Sequence, residues 1–111
     1  MKNIKTFENY GDDIERLKRV PKVGDYVLCE EKSYENDRLI EFISSNFGII
    51  ITIHLDKNYP YAIKYENIPQ NVQRFFENGV REFSSDEIER FADEQEIEQY
   101  KLEINANKYN I

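Results

Sequence analysis

The chain has 111 residues, 40% of them apolar, and sets 22 acidic against 15 basic side chains for a formal charge of −7. That size fits one domain able to bury a modest core without metal or disulfides, and the acidic balance disfavours ordinary duplex nucleic acid as a partner. No apolar run approaches the ~20 residues of a membrane span. Cys29 is the single cysteine, so a reducing, cytoplasmic compartment is the expectation.

Residues 1–20 place Ile4, Phe7, Tyr10, Ile14, Leu17 and Val20 at spacings of three or four, which predicts an amphipathic arm interrupted at Gly11. Asp12 or Asp13 can cap a short helix through about Arg19, and Pro21 ends it. The opening Met1–Phe7 lacks a signal-peptide hydrophobic region. Residues 23–31 follow as a first strand in which Val27 and Cys29 face inward.

The period then changes. Leu39, Ile40, Phe42, Ile43 and Phe47 recur at helical spacing against a polar side of Glu35, Asp37, Arg38 and Glu41. This predicts a helix within 33–47, capped by Ser33 or Asn36 and stopped at Gly48. Residues 49–55 and 61–66 read as a hairpin around the polar connector Asp56–Pro60. Ile49, Ile51, Ile53 and Leu55 alternate with Ile50, Thr52 and His54, as a half-buried antiparallel sheet requires.

After Pro69 a short helix or turn carries the adjacent Phe75 and Phe76, Gly79 ends it, and Val80–Phe83 is read as a final strand. Ser84 and Glu87 have the spacing of a capping box for a helix with Ile88, Phe91 and Ala92 on its apolar side. Asp93 opens a second helix to about Asn105. Between Glu82 and Glu103 nine acids stand against Arg90 and Lys101, so this segment carries the whole net charge. A run of this kind is usually a solvated helix face, and it can also attract a basic protein surface.

Val23-Gly24-Asp25-Tyr26-Val27, Gly48-Ile49-Ile50-Ile51, Tyr61–Asn67 and Arg81–Ile88 together resemble an SH3-like small barrel of the Mind-bomb and KOW type. The resemblance covers roughly residues 22–90 and implies a small antiparallel barrel. KOW-type nucleic-acid binders are basic and this chain is acidic, so it implies architecture rather than RNA binding. The opening Met1–Tyr10 resembles the starts of small bacteriophage-encoded proteins, which implies a host-cytoplasmic setting.

The expected fold is therefore α+β: one domain, 1–111, with an N-terminal arm (1–20), a small SH3-like antiparallel barrel with an inserted helix (22–90), and C-terminal acidic helices and tail (91–111). Chemistry has little support. His54 and Cys29 have no accompanying nucleophile or base motif. The acids of 82–103 lie at helical spacing without the Gly-centred turn of a calcium loop, so neither a catalytic residue nor a metal or cofactor is expected. Binding has more support. Tyr59, Tyr61 and Tyr65 surround one hairpin with Phe75 nearby, and large rigid side chains give contact area at low entropic cost. The same aromatics are also natural core filling. The acidic residues Glu94, Glu96 and Glu98 form a second candidate face. The expected function is a non-enzymatic protein-interaction module, for which the phage resemblance implies an inhibitor that binds a basic host protein surface, the alternative being a structural or virion-associated accessory protein that self-assembles.

Overall fold

A computed structural model describes Leu17 and residues 19–109; the expected arm before Leu17 lies outside the described residues. Among the described residues, five strands, β1 (Tyr26–Cys29), β2 (Phe47–Ile53), β3 (Tyr61–Lys64), β4 (Val80–Phe83) and β5 (Ile88–Phe91), form one sheet, accompanied by the α-helices α1 (Asp37–Ser45) and α2 (Glu94–Tyr109). The strand order is β4-β3-β2-β1-β5 and every pairing is antiparallel. The protein is α+β, as the sequence indicates.

Connection lengths force this sheet to curl. β4 and β5 are its two edges, and a flat five-stranded sheet would hold its edges ~19 Å apart at ~4.8 Å per strand. Only residues 84–87 join them, and Ser85–Glu87 is a 3-10 turn rising ~2 Å per residue. Register shifts at Leu28/Cys29 and Ile50/Thr52 add local bends, as bulges do. β4 and β5 share no ladder, so the curled sheet is not a closed barrel.

Inside the curl lie Val27, Cys29, Ile50, Ile63, Phe83 and Ile88, all buried. α1 closes this core with Leu39, Phe42 and Ile43, each contributing roughly 1.5–3 kcal/mol by leaving water. Its start is the predicted one, with the Leu39 N–H donating to Asn36 Oδ1 at 3.0 Å. Its end differs. Phe47 already belongs to β2, and Gly48 is a strand residue rather than a helix stop. A Cβ at Gly48 would fall 2.5 Å from Ile63 Cγ2 and 2.9 Å from the Tyr65 ring, so glycine lets β3 and Tyr65 come close.

The helix expected after Ser84 is also corrected. The capping box between Ser84 and Glu87 is present but holds only the 3-10 turn. Ile88–Phe91 then pairs with β1, placing Cys29 opposite Ile88 and Val27 opposite Phe91. Val80–Phe83 is consequently the fourth strand and not the last. The Asp93 start of α2 stands: Glu96 N–H donates to Asp93 Oδ1 at 2.8 Å, and Asp93 N–H donates back to Glu96 Oε1 at 3.0 Å. No described helix is long and apolar enough to cross a membrane.

Candidate functional site

The site begins with a tight hairpin. Glu77 and Val80 exchange backbone hydrogen bonds of 2.9 and 3.0 Å, while Asn78 (φ 54°) and Gly79 (φ 81°) between them adopt left-handed backbone. Two positive φ angles in a two-residue loop suit Asn-Gly and match the twist of the flanking strands. The turn brings Phe75 and Phe76 back alongside β4. A cleft of about 610 Å³ results, with Tyr59, Phe75, Glu77, Val80 and Glu82 on its walls.

A buried ion pair holds the wall in place. Arg81 donates from Nε and Nη2 to the two carboxylate oxygens of Glu31, both at 2.8 Å. Its Nη1 donates to the Phe75 carbonyl at 3.0 Å. The Glu31 side chain is 1% exposed, and its hydrogen bonds raise the pKa of Arg81. Beside it Glu87 is buried and accepts from Lys32 N–H at 2.9 Å, Ser33 Oγ at 3.1 Å and Ser84 N–H at 2.9 Å. Buried carboxylates need such partners to remain charged. The two acids therefore tie the segment after β1 to β4 and to the β4–β5 turn, where the open sheet lacks a ladder.

The predicted aromatic edge divides. Tyr59 is 43% exposed and, with half-buried Phe75, lines the cleft. Tyr61 and Tyr65 are each 2% exposed and belong to the core, so they offer no contact surface. The Tyr65 ring packs against Phe42, Phe76 and Phe83 at 5.6–6.2 Å. Tyr34, which sequence reasoning missed, is 51% exposed and sits 5.1 Å from Phe75, ring centre to ring centre. Its loop shows no periodicity that could have singled it out. Arg74 lies 4.5 Å over the opposite partner of that pair, the Phe75 ring.

The chain matches no family model, no curated protein and no solved structure.

The predicted acidic residues also differ among themselves. Glu94 and Glu98 are exposed on α2. Glu96 instead receives two hydrogen bonds from Arg90, at 2.8 and 2.9 Å. Those bonds, with the Asp93 N–H, hold its carboxyl down at about 2. His54 is exposed just beyond β2, whereas Cys29 is buried. Burial pushes the Cys29 thiol up to about 12 and keeps the neighbouring Tyr65 phenol well above its ordinary range. Both stay neutral, and a neutral buried thiol is a poor nucleophile. What the cleft offers is recognition chemistry: aromatic faces, two exposed carboxylates and the backbone of an edge strand.

Proposed function

We propose that this chain is a non-enzymatic protein-interaction module whose binding site is the cleft along β4. The observation that carries the reading is the aromatic wall of Tyr59 and Phe75, exposed in part, with Tyr34 packed on the Phe75 ring and the Phe75 carbonyl anchored to the buried Arg81–Glu31 pair. Large aromatic side chains on a pre-set backbone bind without a large ordering cost. The acidic charge favours a partner with a basic surface, to which exposed Glu94 and Glu98 add longer-range attraction. In this reading the curled sheet is an SH3-like small barrel left open between β4 and β5. The β1–β4 meander and the return of β5 to β1 through a 3-10 turn support that relation.

Affinity capture from lysate at low and high salt, with wild type beside the Tyr34→Ala/Tyr59→Ala double variant, tests the proposal. A partner that binds wild type should bind the double variant about tenfold or more weakly. Glu94→Lys/Glu98→Lys should slow association, with the effect vanishing at high salt. Equal binding by wild type and the aromatic double variant would remove the cleft from consideration.

A further inference from the structure

Strand alternation settles which backbone groups of β4 face outward. Val80 exchanges its N–H and C=O with Glu77 on the side away from β3, while Arg81 and Phe83 lie opposite Ile63 and Tyr61 of β3. Glu82, two residues after Val80, therefore directs both backbone groups away from β3 as well. The run ending at Glu77 begins a further strand along β4 and stops after a single pair, because the chain before it is the 3-10 turn Gln70–Phe75. A notch remains beside Glu82, within the cleft that Tyr59 and Phe75 line.

We infer that this notch accepts an extended segment of the partner as an added strand, paired with the Glu82 backbone and carrying a basic residue toward Glu77 and Glu82. The inference rests on the cleft being the binding site, and it names the conformation and charge of what enters. Both carboxylates are exposed. Arg81 is committed to Glu31, and Arg74 is folded over Phe75 with its guanidinium on the Asn71 carbonyl at 3.2 Å. Arg74 keeps its charge but pairs with neither Glu77 nor Glu82, so the cleft stays net negative toward an incoming strand. A second copy entering antiparallel and centred on the same residue would set Glu82 against Glu82. Like charges directly opposite destabilise a strand pair and guard an edge against self-association. A foreign basic segment meets the opposite situation. One outward residue supplies two backbone bonds, worth roughly 0.5–1.5 kcal/mol each, so an apolar side chain against Tyr59 and Phe75 must add the rest.

The test is a titration of the ¹⁵N-labelled full chain with acetyl-Lys-Val-Thr-Val-Lys-amide, followed by amide shifts and hydrogen exchange. Two controls accompany it: the same peptide N-methylated at its three central amides, and acetyl-Glu-Val-Thr-Val-Glu-amide. The lysine peptide is expected to shift the Glu82 amide and slow its exchange, with both controls about tenfold or more weaker. Equal binding of the N-methylated peptide would overturn strand addition while leaving the cleft as a side-chain site. Equal binding of the glutamate peptide would overturn the charge selection. A Glu82 amide that moves with protein concentration alone would make a second copy the occupant. If neither Glu82 nor Tyr59 and Phe75 respond, the cleft reading fails together with the inference.

Discussion

Replacing Arg81 by Met should destabilise this protein more than almost any other single change, and the geometry sets the size. Arg81 makes two 2.8 Å bonds to Glu31 and one of 3.0 Å to the Phe75 carbonyl. Met retains most of the aliphatic volume but leaves the Glu31 carboxylate, 1% exposed, without its cation. Removing one partner of a buried pair costs ~3–5 kcal/mol, against a total stability of ~5–15 kcal/mol for a domain of this class. Glu31→Met/Arg81→Met removes both charges, so it should recover at least ~2 kcal/mol of the single-variant loss. It should not recover all of it. Ser33 N–H, now 3.2 Å from Glu31 Oε2, and the Phe75 carbonyl each lose a partner, at ~1 kcal/mol apiece. Urea unfolding followed by circular dichroism at pH 7 measures the four corners of this cycle. A cost below ~1 kcal/mol for Arg81→Met, or strict additivity in the double variant, would refute a buried, coupled pair.

Three further outcomes follow from the same structure. The Glu96 carboxyl sits at about 2 when folded against an ordinary 4.5, so its contribution is fully present above pH 4.5 and is lost as pH falls toward 2. The stability gap between wild type and Glu96→Gln should narrow across that window in urea melts at stepped pH, and a constant gap would contradict it. The Cys29 thiol, pushed up to about 12 by burial, should resist a disulfide-exchange reagent at pH 8 until urea unfolds the chain; full native labelling within minutes would contradict its placement. Gly48→Ala must displace Ile63 and Tyr65, the built Cβ lying 2.5 and 2.9 Å from them. It should cost ~1–3 kcal/mol, and an unchanged melting temperature would show that the close approach is absent.

Local pattern made much of the fold legible. Apolar spacing with an Asn cap located α1, Asp93 marked the start of α2, and alternation put Val27 and Cys29 inside. Where a segment suited two periods, local pattern could not choose. Ile88 and Phe91 are three apart, as on a helix, yet they become β5 because β1 offers an edge some sixty positions earlier in the chain. Gly48 reads as a stop in isolation, and only the approach of Tyr65 explains it. Aromatic content located the hairpin but not its faces, and burial separated Tyr59 from Tyr61 and Tyr65. The site's supporting pair was invisible, since Glu31 and Arg81 are 50 positions apart and neither stands out among the charged residues around it.

Hydrogen exchange on the full chain, alone and bound to a captured partner, tests the central claim most directly. The account predicts slowed exchange on binding across residues 77–83, with α2 unchanged. Protection confined to α2, or exchange along β4 unaffected by a saturating partner, would contradict the cleft as the binding site.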